Sequence, residues 1–348
     1  MKKIIYTLLL GAVLFAACAE DDLLPSMADK PSATEEPDMT KPLIAAYKND
    51  YDVNIIYRFT DSTDFLFALG DKGNVENWKE TVIKQLPDSL VDYGLRMFDS
   101  LVLKYFKDEV EFRGEMYRPD FKRKSFPRKI FLVDSLGGGY SGLGQVIGEL
   151  NDAESQGYFS FLWNGFEPMF AFDSTLLTGA SAKMILKYRN SMLYGLLSAL
   201  FVDRGVYYEF PTVFFEPVAD LYGTSVNELA LEEEAEVYKS GSRYYYLPEW
   251  YMSKGFAMTN DSPGSAYGTE TKYTTTLDTT RTLNFPLRDR DFRNMLHVMI
   301  CETKADYIRK YFQNDLFVSR MRIMIGEMYR RGIDVFAINP VMEEFFND

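Results

Sequence analysis

Apolar positions along the chain fall into blocks of two periods, and the blocks set out an order of elements. In "YDVNIIYRF", Val53, Ile55, Tyr57 and Phe59 alternate with Asp52, Asn54 and Arg58. That period of two predicts a half-buried strand. From 75 to 106 the spacing of Trp78, Val82, Leu90, Leu95, Phe98 and Leu101 is helical. Pro87 divides this stretch into two predicted helices, because proline has no N–H to donate inside one. Two apolar runs bounded by turn residues, "KIFLVDS" (Lys129–Ser135) and "GYFSFLWN" (Gly157–Asn164), predict further strands, the first of them central. "GGGYSGLG" (Gly137–Gly144) lacks the Lys-Ser/Thr ending of a phosphate loop and reads as a hairpin or loop. The Ser/Thr/Gly-rich stretch Thr259–Thr280 predicts a long surface loop. From Arg288 onward the pattern is helical almost to the end, closing with "YRRGIDVFAINP".

"KMILKYRNSMLYGLLSALFV", Lys183–Val202, is the most sustained helical pattern beyond the N-terminus. Ile185, Tyr188, Met192, Leu196 and Leu200 form one apolar stripe, while Lys183, Lys187, Asn190, Tyr194 and Ser198 trace a more polar one. The pattern predicts a core helix with one wetter edge. Its length would reach across a bilayer, but Lys183, Lys187, Arg189 and Asn190 make insertion costly, and a membrane span is rejected.

Composition narrows the class. Hydrophobic residues are 47% and aromatics 16% of 348 residues, enough for a large core. A net charge of -13 argues against nucleic acid as a partner. Lys122-Arg123-Lys124 is a short cationic run that reads as solvated. At the N-terminus, Lys2 and Lys3 precede an apolar stretch, Ile4–Ala17, of secretory rather than membrane-spanning length. "LFAAC" resembles a bacterial lipobox, departing from the usual pattern in Phe15. Residues 1–17 are thus read as a signal peptide, and Cys18 as the lipidated N-terminus of the mature protein. Several acyl chains on Cys18 would make a stable anchor, at about 0.8 kcal/mol per buried CH₂. The following "AEDD" resembles the acidic signal that sends lipoproteins of the Bacteroidota to the cell exterior. Residues 18–47 are polar and Pro-rich and read as a flexible tether, leaving 48–348 as a single domain. With Cys18 lipidated, Cys301 has no intrachain partner for a disulfide.

Candidate chemistry is sparse. Cys301 sits four residues from His297, the chain's single histidine, in an apolar helical context that favours a buried thiol over a nucleophile. Asp291 and His297 are six apart and fall on different sides of a helix. Glu209, Glu216 and Asp220 are candidates for carboxylate acid/base work, and Glu232, Glu233, Glu234 and Glu236 for a hard cation at the start of a helix. Each set also fits ordinary surface charge. "RYYYLPEWYM" (Arg243–Met252) concentrates aromatic faces suited to stacking on a ligand or to lining a core or interface.

The order "YDVNIIYRF", a helical region, "RKIFLVDS", a long apolar helix, "SKGFAM", a polar loop, "RDFRNM" and "RRGIDVFAI" resembles the zinc metallohydrolase lipoproteins of the Bacteroidota. The resemblance covers roughly residues 50 to 338. It implies an α+β, metallopeptidase-like domain with a small mixed sheet and a mostly helical C-terminal half. It also implies an outer-membrane, lipid-anchored protein facing the exterior, working in nutrient import beside a TonB-dependent receptor and its surface lipoproteins. In that family the long helix carries His-Glu-x-x-His, two zinc-binding imidazoles one turn apart with a Glu that activates the bound water. Those positions fall on Ser191, Met192, Leu193, Tyr194 and Gly195, and the acidic position of a "DFAE" segment falls on Asn294. Ser191, Met192, Gly195 and Asn294 are therefore read as a degenerate motif. The expectation is a protein with no catalytic residues, metal or cofactor, which binds or assembles. The alternatives are a metal-independent hydrolase using carboxylates and a structural partner of the transporter. The small residues Ser191, Gly195 and Ser198 lie along one side of the helix, so a neighbouring element is expected to pack close there.

Overall fold

The run "KIFLVDS" becomes the spine of a sheet. The computed structural model describes residues 36–59, 82–137, 160–174, 178–240, 243–246, 248–257, 277–278, 284–302 and 311–347. The strands of the first part are β1 (Asn54–Ile56), β2 (Val82–Gln85), β3 (Val110–Phe112), β4 (Glu115–Tyr117), β5 (Lys129–Gly137), β6 (Phe161–Trp163) and β7 (Pro168–Ala171). β5 pairs in parallel with β1 and β7 and antiparallel with β2, and β6 closes antiparallel on β7. Among the described residues these five strands form one mixed sheet, and β3 and β4 form a separate hairpin. Ile130 and Leu132 of β5 point into the main core, whereas Phe131 and Val133 point into a second apolar cluster on the other face.

That second cluster corrects the reading of "YDVNIIYRF". Ile55 belongs to the main core and Ile56 to the other face, both buried, so β1 is not half-buried but covered on both sides. The first of the two helices predicted before Pro87 is also corrected. Val82–Gln85 is strand β2, paired with the last residues of β5. An unpaired length of central strand outweighs a weak helical spacing, and β-branched Val82 and Ile83 suit a sheet. Trp78 lies outside the described residues, as does the predicted loop at "GGGYSGLG" beyond Gly137.

Helices account for most of the remainder: α1 (Pro42–Tyr51), α2 (Val91–Leu101), α3 (Phe121–Ser125), α4 (Ala182–Ser198), α5 (Val226–Glu232), α6 (Pro248–Ser253), α7 (Arg288–Cys301), α8 (Asp315–Arg330) and α9 (Val335–Ile338). The architecture is α+β, with a small mixed sheet and a helical C-terminal half. No helix among the described residues is long and apolar enough to cross a membrane. α1 begins inside the stretch read as tether, and its Ile44 and Tyr47 are buried in the main core, so packing begins before residue 48. In α3, Lys122 is not solvated as expected. Its Nζ donates to Tyr51 Oη at 2.6 Å and to Asp108 Oδ2 at 2.9 Å, which joins α3 to α1.

α4 begins at Ser181, whose hydroxyl accepts from Met184 N at 3.2 Å, an N-cap. The helix passes into a π-helical turn, Ala199–Asp203, before Gly205 ends it at φ +76°. From Asn190 to Val202 every side chain is buried, so the wetter edge expected at Tyr194 and Ser198 does not exist beyond the first turns. Below α4, the β6–β7 turn is fixed by Asn164, whose Oδ1 accepts from Phe166 N at 2.9 Å and Glu167 N at 2.7 Å. Above it, α7 packs with His297 edge-on to Tyr194 at 5.5 Å.

The helical half is tied together by buried polar groups. Arg320 of α8 and Asp291 of α7 are both fully buried and form an ion pair. Arg320 also donates to Phe214 O at 2.8 Å and Gly255 O at 2.5 Å, and Tyr222 Oη donates to Asp291 Oδ2 at 2.8 Å. Asn339 Nδ2 donates to Met299 O and Glu302 O, carbonyls left open at the end of α7.

Candidate functional site

The positions assigned to the zinc motif lie in the middle of the core. Ser191, Met192, Leu193, Tyr194 and Gly195 are buried on α4. Ser160 Oγ and Ser191 Oγ share a hydrogen bond of 2.9 Å. The Phe161 ring lies so close to Gly195 that a Cβ built there would sit 2.5 Å from its Cδ1. Strand β6 thus occupies the side on which ligand side chains would project, as the small residues permit. Asn294, on α7, is also buried. A zinc site takes about three protein ligands. This face offers a hydroxyl, a thioether and a bare glycine, and it has no room for imidazoles. Among the described residues no group of three His, Cys, Asp or Glu is placed to hold a metal ion. The residues present do not fit zinc.

The other candidates separate. Burial pushes the Cys301 thiol up and lowers His297 to about 4, so at neutral pH the imidazole is neutral and the thiol protonated. A thiolate–imidazolium pair does not form. Asp291 is committed to Arg320 and Tyr222, away from His297. The His297 environment has a pH consequence. Its folded value lies below the ordinary 6.5, so the unfolded chain binds the extra proton between the two values and stability falls as pH drops from 6.5 toward 4. Urea unfolding across that range is expected to show a His297→Met variant losing less stability than the wild type; parallel losses would contradict it.

Glu209 stands 3.6 Å from Arg331, while Glu216 and Asp220 are exposed on the 3-10 turn Glu216–Leu221 and line no described cavity. The structure does not assemble them into an acid/base pair. The acidic run lies at the end of α5, not the start of a helix as expected. There the helix dipole is the wrong sign for carboxylates. Glu233 is relieved by Lys254, whose hydrogen bond holds its carboxyl below the usual range, and by Trp250 Nε1 at 2.9 Å. In "RYYYLPEWYM", residues Arg243–Tyr246 form a strand within a small antiparallel sheet with Val237–Ser240 and Leu277–Asp278. Tyr251, in α6, is buried and stacked on Phe285 at 5.4 Å, a core role.

Open to solvent is a bipartite cleft on either side of residues 204–209, which follow the π turn. One part, about 490 Å³, lies between α3 and the end of α8, and its charged lining is Lys124, Arg204, Arg330 and Arg331 with Asp120 and Glu209. The other, about 880 Å³, lies against the start of α7; its charged lining is Arg204, Arg288 and Arg293 with Asp203 and Asp289, and Tyr207, Tyr208 and Leu287 add to the wall. Arg330 and Arg331 are both paired with Glu327, and Lys124 with Asp120 at 2.8 Å. Arg204 donates to Ser125 O at 2.7 Å and makes no ion pair among the described residues. Burial and the nearby Arg128 charge lower its pKa. The chemistry that the arginines of this surface offer is anion recognition. Sequence reasoning missed it. "DRGVYYE" and "LRDRDFR" each look like solvated charge, and they meet only when α4 and α7 pack together.

No family model matches the chain, and no curated protein matches it. Among solved structures it is similar to a "putative zinc-binding metallo-peptidase" from Bacteroides caccae ATCC 43185, at 12% identity over 90% of this chain and 95% of that one, with a TM-score of 0.36.

Proposed function

We propose that this protein is a lipid-anchored component of the outer membrane, facing the cell exterior, that binds a ligand or partner and does not hydrolyse one. In this reading it is a non-catalytic relative of the zinc metallohydrolases and serves nutrient import beside a TonB-dependent receptor and its associated surface lipoproteins. The observation that carries the binding role is the closed face of α4. Phe161 and Ser160 occupy the side where zinc ligands would project, while an open cleft with Arg204 and Arg288 on its walls lies one turn beyond the same helix. The anchor rests on "LFAAC" with Cys18 and on the "AEDD" that follows, which lie outside the described residues. The import setting rests on the order of elements and its resemblance to the Bacteroidota lipoproteins. Native mass spectrometry of protein extracted from membranes in detergent tests both parts at once. The expected species starts at Cys18, carries acyl chains and holds no zinc. One tightly held zinc per chain would overturn the binding role, and an unacylated Cys18 would overturn the anchor.

A further inference from the structure

Arg288 is placed where ordinary design would not put it. It is the first residue of α7, where a cation opposes the helix dipole. Its guanidinium lies 3.8 Å from the centroid of the Phe215 ring and 5.8 Å from that of Tyr208. The side chain is half-buried, and its Nε is buried with no hydrogen-bond partner. Among the described residues it makes neither a hydrogen bond nor an ion pair. A guanidinium carries five N–H donors and is most stable when they face oxygen, above all a carboxylate met by two parallel bonds. Stacking on Phe215 fixes its plane; Nε is enclosed there, and the terminal N–H groups are the donors left to meet a ligand. A buried donor left without a partner costs about 1–3 kcal/mol.

The surroundings add the second half of a recognition surface. Tyr207 and Tyr208 lie with ring centroids 4.2 Å apart, and Tyr208 is 65% exposed. Leu287 is 63% exposed at the same rim. A flat, amphipathic tyrosine face beside an open guanidinium suits a ring that bears an acid. The neighbouring charges leave this arginine available: Arg293 takes Asp203 at 2.5 Å, and Asp289, the other carboxylate of the lining, makes no ion pair with Arg288. The net charge of -13 does not forbid an anion here. At physiological salt, exposed charges beyond about 8 Å are largely screened, so the balance is set locally, by Arg204 and Arg288 against Asp289 once Arg293 and Asp203 pair.

We propose that the cleft between the π turn and the start of α7 binds a carboxylate carried on a ring, with Arg288 taking the carboxylate and Tyr208 the ring face. Arg204 contributes charge from the far side. The chemistry fits an acidic sugar and an aromatic acid alike, and it deepens the binding reading above, on which it rests for its biological setting alone. Calorimetric titration of the purified full chain with digalacturonate and with benzoate, each beside its neutral methyl ester, tests it. At least one acid is expected to bind, with its ester weaker by about tenfold or more, and which acid binds identifies the source. Arg288→Gln is expected to weaken binding roughly tenfold, and so is Tyr208→Ala, whose exposed position spares the fold. Binding of ester and acid alike, binding unchanged in Arg288→Gln or in Tyr208→Ala, or no binding of either acid would overturn the proposal. None of these results would alter the acylation of Cys18 or the zinc content, so the two readings fail separately.

Discussion

Arg320→Met is expected to destabilise the protein by about 3–5 kcal/mol, the usual result of removing one partner from a buried ion pair. The side chain is fully buried, as is its partner Asp291. Three groups lose their donor together: the Asp291 carboxylate, Phe214 O and Gly255 O. Tyr222 still donates to Asp291, which softens the loss but does not neutralise the charge. Converting Asp291 to Leu in the same chain removes that charge and should recover part of the stability. Recovery stays partial because Tyr222 Oη and the two carbonyls remain without partners. Urea unfolding midpoints of the two single variants and the double variant give the cycle. A loss below about 1 kcal/mol for Arg320→Met would mean that water or a rearranged side chain replaces the guanidinium.

Restoring the zinc motif by Ser191→His, Met192→Glu and Gly195→His is expected to give a protein that fails to fold and holds no zinc. Gly195 alone shows why. Alanine is better than glycine inside a helix by about 1 kcal/mol, which favours the substitution. Against it stands the Phe161 ring, fully buried and 2.5 Å from the new Cβ. Forcing atoms into a filled core costs about 1–3 kcal/mol, so even Gly195→Ala should be a net loss. Adding Phe161→Leu should reverse much of that loss, since the opposing atoms are then fewer. Thermal unfolding and metal analysis of the purified variants decide the matter. A folded triple variant with one zinc per chain would show that β6 can yield.

Much of the frame was legible because local pattern and tertiary demand agree there. "KIFLVDS" is apolar on both faces and becomes the central strand, and Val91–Leu101 keeps its apolar residues on one side of a helix. Val82–Gln85 was misread because the need of β5 for a partner is invisible in a window of neighbouring residues. The polar stripe of α4 misled for a different reason. Tyr194 and Ser198 are small or amphipathic enough to be buried once β6 and α7 cover both sides. In the site, the missing imidazoles were plain from the residues, since one histidine in the whole chain leaves little to arrange. The cleft was not, because Arg288 and Phe215 lie far apart in the chain and no periodicity links them.

The π turn at Ala199–Asp203 carries a consequence for how this surface is encoded. A π turn holds one residue more than an α turn, and one extra residue turns a helix by about 100°. Everything after it therefore faces a direction that the preceding heptads do not set, and Arg204 reaches the rim of both cavities from there. The core half of α4 and the rim that follows it obey separate frames. Substitutions can retune the rim without disturbing the packed face, whereas deleting a single residue between 199 and 203 would swing Arg204 and the tyrosines away together.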